Sequence, residues 1–339
     1  MKKLFALGFL VVAFLFMKVA VCQNLIAVQN GSNVTFYTQV TAAVDAANSG
    51  DTIYIPSGSW SLGTSGLYIN KKLHIIGVGH NPAYTQAGGI TYLIGSITIR
   101  SGASSGSLTG VVLTGGFGSN SMYPLDAIIN YSLTRNRIVG QVALNQGFAW
   151  SEFAENIFDN SVSGNSAYNN HFYNNIFTGK VGDFSVGNMF KNNIWMNTST
   201  SSTLTFSYCV FDNNIIFSIA KMGTPSNCIF NNNLFIDNVT FPYLTNTGSN
   251  NIVNQAQSTI FVNQTGSTFN YAHDYHLKST CPGINAGKDG TDIGIYGGAS
   301  PWKEGSIPYN PHFQSVNIAP ATNSSGNLNV NIQVEAQDR

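Results

Sequence analysis

Charge is what this chain has least of. Of 339 residues only 9% are Asp, Glu, Lys or Arg, and 15 basic side chains face 15 acidic ones. A protein that neutralises phosphates carries a basic excess, so nucleic acid is excluded as a main partner. Long apolar runs are missing beyond Met17, which leaves no segment of the mature chain able to span a bilayer. Cysteine is scarce, four in all, and no Cys/His spacing fits a zinc site, so no metal or other cofactor is expected. Strong helix formers are thin through the middle of the chain, where Asn, Phe, Ile, Ser and Thr prevail. A helix in every repeat is therefore excluded. A regular outward Thr-x-Thr array is missing as well, because Thr203-Leu204-Thr205 stands alone, and ice binding is excluded with it. With 34 Gly but 43% apolar residues, the composition describes many turns around a core and not disorder.

What the chain has is one phrase, repeated between Leu133 and Ile252. Phe153-Ala154-Glu155-Asn156-Ile157-Phe158 returns at Phe172–Phe177, Phe190–Trp195, Phe211–Phe217 and Phe230–Phe235. Its Asn falls at Asn136, Asn156, Asn175, Asn193, Asn214, Asn233 and Asn251, in steps of 18 to 21 residues. Such a period suits units that stack, each touching only its neighbours. Without helices, each unit must be a coil of short strands and turns, lying ~4.8 Å from the next. Asn recurs for two reasons. It tolerates the left-handed conformation of a sharp turn, and stacked amides can donate to one neighbour while accepting from the other.

The phrase, its spacing and its flanks resemble the right-handed parallel β-helix proteins of the pectin-lyase-like superfamily, in their secreted bacterial form. The resemblance covers about residues 36 to 300. It implies an all-β solenoid with the ladder Asn turned inward, and with Phe153, Phe172, Phe190, Phe211 and Phe230 stacked inside beside Phe158, Phe177, Trp195 and Phe235. That superfamily mixes lyases, hydrolases, epimerases and proteins without chemistry, so the resemblance implies a fold more than an activity.

The flanks complete the expected organisation: a leader at 1–22, a solenoid with its cap at 23–300, and a tail at 301–339. Lys2 and Lys3, the apolar run Leu4–Met17 and the small-x-small Ala20-Val21-Cys22 read as a secretory signal cleaved after Cys22. Val21 is bulky for a site of lipidation at Cys22. Val40, Ala43, Val44 and Ala47 share one helical face, and that helix would cover the first coil. Residues 270–298 resemble the closing coil of bacterial β-helices, with Asn285 standing where Asp is common in them. Leu328, Val330, Ile332, Val334 and Ala336 alternate as a strand and would fold back as an end plug, the rival reading being a secretion or anchoring signal.

Candidate chemistry comes from laying coils over one another. One column beside the repeat Phe reads Glu152, His171, Met189, Val210, Ile229; the other reads Ala154, Tyr173, Lys191, Asp212, Asn231. Glu152, His171, Tyr173, Lys191 and Asp212 on one face would make a proton-transfer set, against the plainer reading of a solvated surface. Calcium enters only if the chain is a uronate lyase. Ile157, Ile176, Ile194, Ile215 and Leu234 follow the ladder Asn and either form an outward apolar stripe or turn inward. Cys209 and Cys228, 19 residues apart, should stack as neighbours, bridged or as two buried thiols. His273 and His276, beside Asp274, read as turn-stabilising. The expected protein is a secreted monomer that engages a polysaccharide or a cell-surface component without an evident catalytic site. Its alternatives are a polysaccharide lyase or hydrolase and a purely structural surface protein.

Overall fold

Short strands joined by tight corners pair only with their counterparts one repeat away. The result is a parallel β-helix of about nine turns. The computed structural model describes residues 25–85, 88–119, 127–145, 147–198, 204–309 and 311–336. The expected leader and Cys22 lie outside them.

Three sheets run the length of the stack, of twelve, nine and eight strands, here sheets I, II and III. In sheet I the register is that of the repeat: Phe153 pairs with Phe172, Phe172 with Phe190, Phe190 with Phe211 and Phe211 with Phe230. Their rings stack inside with centroids 4.3, 4.7, 5.0 and 4.5 Å apart, close to the strand spacing itself. Phe158 and Phe177 stack in the same way at 5.1 Å. Each strand is only two to six residues long, so no coil is stable alone. The fold is held by burial between coils.

The seven asparagines form a continuous ladder. Each Nδ2 donates to the Oδ1 of the next, and each backbone N–H donates to that same Oδ1, from Asn136 through Asn251 at 2.8 to 3.2 Å. The second Nδ2 hydrogen goes to a carbonyl of the preceding coil, as from Asn193 to Phe172 O. A second ladder, not anticipated, enters sheet I. Tyr131 N donates to Ser151 Oγ, Ser151 N to Asn170 Oδ1 and Asn170 N to Asn188 Oδ1. Cys209 and Cys228 occupy its next rungs, buried and unbridged. Cys209 N donates to Cys228 Sγ and Cys228 N to Asn246 Oδ1. The thiols therefore stand in for amides.

The ends are closed differently. The helix Val40–Ala46 buries Val40, Ala43 and Val44 over the first coil, on the expected face. At the other end Phe241 packs on Phe230 and Phe235. Residues 270–298 do not form a closing coil. The coils stop by Ile252, and from Gln257 to Tyr309 the chain returns along the outside of the stack as a strap. The apolar stripe Ile157, Ile176, Ile194, Ile215 and Leu234 leaves the coil interior and is buried beneath it, against Ile260, Phe261, Tyr275, Cys281, Ile293, Ile295 and Trp302. The stripe is thus outward, and its cover is the strap. The tail is no end plug either. Strands His312–Ile318 and Val330–Glu335 form an antiparallel hairpin with each other alone, and its root at Pro308, Pro311 and Phe313 lies beside Ala27, Tyr54 and Ile76 of the first coils.

Candidate functional site

Every residue of the first ladder follows a corner in the left-handed conformation. On leaving sheet I the corner is held by Arg135, Glu155, Asn174, Asn192, Asn213, Asn232 and Asn250, with φ between 53° and 58°. Asn reaches that region more cheaply than most residues that carry a side chain, and at four of these corners the outward side chain also anchors the strap. Asn232 Nδ2 donates to Ala286 O, Asn192 Nδ2 to Gly294 O and Asn174 Nδ2 to Ile295 O, while Asn213 Oδ1 accepts from Lys288 N. Where the column changes from Asn to charge, a buried ion pair forms. Arg135 meets Glu155 Oε1 through both Nε and Nη2, at 3.2 and 3.1 Å. Its guanidinium lies 3.6 Å from the centre of the Tyr309 ring and its Nη1 donates to Ile307 O. Glu155 Oε2 accepts from Lys303 N at 3.0 Å.

The strap so placed makes a wall beside the outer face of sheet I. Both expected columns lie on that face in register: Glu152, His171, Met189, Val210, Ile229 and, next to them, Ala154, Tyr173, Lys191, Asp212, Asn231. The five candidate residues are therefore brought onto one surface, where Tyr173 meets Glu152 and where Lys191 and Asp212 each pair with the strap. Tyr173 donates its hydroxyl to Glu152. Burial, then the Glu152 carboxylate, raise the pKa of that phenol. Lys191 turns from Asp212 to Asp289 of the strap, 2.9 Å away. Burial opposes ionisation of Asp289, but hydrogen bonds from Thr291 and Lys191 outweigh it and hold its pKa at about 2. Asp212 takes Lys288 of the strap at 3.2 Å and Asn231 at 3.1 Å. His171 is exposed at the edge of a cleft of about 210 Å³ lined also by Tyr173, Met189, Lys191 and Gly298–Ser300.

The acids of this face are badly placed for hydrolysis. Glu152 and Asp212 stand three coils apart, ~14 Å at one strand spacing per coil, beyond the ~5 to 9.5 Å over which paired carboxylates cleave a glycosidic bond. Among the described residues no three His, Cys, Asp or Glu side chains converge as metal ligands. No helix among them is long and apolar enough to cross a membrane.

His276 and His80 are tied into the strap. His276 Nδ1 lies 2.8 Å from Asp274 and its ring stacks on Tyr296 at 3.7 Å, which fits the turn-stabilising reading. His80 is fully buried, its Nδ1 3.0 Å from the Tyr271 hydroxyl, which donates to His80 O. Burial first, then the nearby Arg137 charge, push its pKa down to about 3. The unfolded chain takes up this proton below 6.5 and the native chain does not until about 3. Stability should therefore fall with pH across that window, by about 1.4 kcal/mol per unit. His80→Gln, compared with the parent in urea titrations at several pH values, should flatten that slope; equal slopes would show that His80 titrates freely.

Two features of this region escaped the sequence reading. The strap anchors escaped it, although they stand in the sequence as Asn-Asn doublets, because the residue before each ladder Asn was left unassigned. The corner that enters sheet I was not read at all, although two of its members, Trp150 and Tyr208, are large, exposed and aromatic. No family model, no curated protein and no solved structure matches this chain, so its function has to be read from its own side chains.

Proposed function

We propose that the outer face of sheet I holds an extended glycan chain running along the stack, without turning it over. The observation that carries this reading is the internal pairing of charge. Lys191 and Asp212 are each taken by an opposite charge from the strap and Glu152 by a phenol. What remains toward solvent is a row of hydrogen-bonding and apolar side chains repeating every coil, a spacing close to the length of one sugar residue. Repetition in the ligand then meets repetition in the protein. A leader at 1–22 would deliver the chain to where such polymers are found.

The resemblance to the pectin-lyase-like superfamily keeps an enzymatic reading in view. Its specific support is the Tyr173–Glu152 contact one coil step from His171. Affinity electrophoresis of the purified protein through gels containing neutral or uronate polymers, with and without calcium, separates the readings. Retardation by about a factor of two or more without release of unsaturated or reducing ends is the expected result. Sustained product formation would replace binding by catalysis. No retardation and no product would leave a purely structural surface protein.

A further inference from the structure

The corner that enters sheet I carries a column of its own: Asn130, Trp150, Asn169, Gly187, Tyr208 and Asn227, all with positive φ. Four of the six are Asn or Gly, the residues that reach this region most readily. Trp150 and Tyr208 are the exceptions, each at φ 54°. For a bulky side chain this is an outlier that costs on the order of 1–2 kcal/mol. Neither ring offsets that cost by entering the core, since each is 60% exposed. A single exposed aromatic needs no explanation. Two of them, in one column and in a backbone conformation that penalises both, do.

Their spacing is regular. Three coils separate them, ~14 Å at one strand spacing per coil, and the positions between are occupied by Asn169 and Gly187. Gly187 makes room for the Asn169 amide, because a Cβ there would lie 1.8 Å from Asn169 Oδ1. The column therefore presents two flat apolar plates with a low amide-bearing stretch between them, at the margin of sheet I.

We infer that Trp150 and Tyr208 are stacking platforms for a neutral polysaccharide whose pyranose rings present flat C–H faces, lying parallel to the stack. A sugar ring laid on each plate buries C–H surface against an aromatic face, while its equatorial hydroxyls reach Asn130, Asn169 and Asn227. None of the six residues in the column is charged, so a uronate or sulfated chain finds no counter-charge there. Stacked nucleobases would use the same plates but need a basic groove, which a column without charge does not supply. This inference rests on the glycan-binding reading and names the ligand class and the residues that recognise it.

The test uses Trp150→Asn, Tyr208→Asn and the double variant, because Asn is what the neighbouring corners already carry. Affinity electrophoresis on hydroxyethyl cellulose, xylan and galactomannan is run beside polygalacturonate and alginate, with thermal unfolding of every variant. The parent should be retarded by at least one neutral polymer and not by the uronates. Each single variant should weaken that retention about tenfold and the double variant should abolish it, while Tm stays level or rises. Trp150→Phe should keep most of the binding. Unchanged retention of the double variant on a neutral polymer overturns the inference and leaves glycan binding standing, as does retention by uronates alone. A clear drop in Tm for the Asn variants also overturns it, because the rings would then be structural. Failure of the parent to bind any polymer removes the glycan-binding reading and the inference together.

Discussion

Asn193→Leu should destabilise the protein by about 4 kcal/mol or more, although leucine is close to asparagine in size. Asn193 is fully buried and makes four ladder contacts. It donates to Phe172 O and Asn214 Oδ1, each at 2.9 Å, and accepts from Asn175 N and Nδ2 at 2.9 and 3.0 Å. Leucine leaves two donors of Asn175 unpaired where water cannot reach them, and takes one donor away from the carbonyl of Phe172. Each such group costs ~1–3 kcal/mol, and the apolar gain from leucine offsets only part of it. The same change at Asn251, half-buried on the last rung, should cost only about 1 kcal/mol, since solvent can replace the lost partner. Urea midpoints of the two variants decide the matter. Equal losses would mean that water enters the coils and that the ladder is not sealed.

The second large effect is at the buried ion pair. Arg135→Asn removes the guanidinium and strands Glu155, which is 4% exposed, with Lys303 N and the Tyr309 hydroxyl. Breaking a buried pair from one side costs ~3–5 kcal/mol, and here the loss should appear even though Asn suits the left-handed corner better than Arg. Changing Glu155→Asn as well restores the corner chemistry of the next five coils and should recover most of the loss. A double-mutant cycle by denaturant unfolding reads the coupling. Limited proteolysis should cut first within 257–309 in the single variant. If the single and double variants are equally unstable, the pair contributes packing and not charge.

The coils were legible because periodicity carries its own register. Once seven asparagines are spaced like strands in a stack, the pairing of Phe153 with Phe172, or of Glu152 with His171, follows by counting. The capping helix was legible for the same reason, through the spacing of Val40, Ala43, Val44 and Ala47. The strap was not, since it contacts one coil after another with single residues that share no period. Ile295 accepts from Asn174, Lys303 donates to Glu155 and Ile307 accepts from Arg135, and nothing local in 286–307 announces those partners. That gap explains the error at the candidate site. Column counting placed Lys191 beside Asp212 correctly, but the ammonium and the carboxylate each found a closer opposite charge on a segment the counting had assigned elsewhere. The apolar stripe gave the better warning, since five aliphatic side chains following the ladder need a cover from some part of the chain.

A stack of coils that touch only their neighbours ordinarily comes apart from its tips, one layer at a time. Here the segment that begins at the last coil is moored to Asn232, Asn213, Asn192, Asn174, Glu155 and Arg135 in succession, and it reaches Gly110 and Gly79 near the first. Peeling either tip must therefore detach a tether that also grips the middle. The molecule should therefore melt in one all-or-none step, as a compact domain does, while keeping the length of a rod.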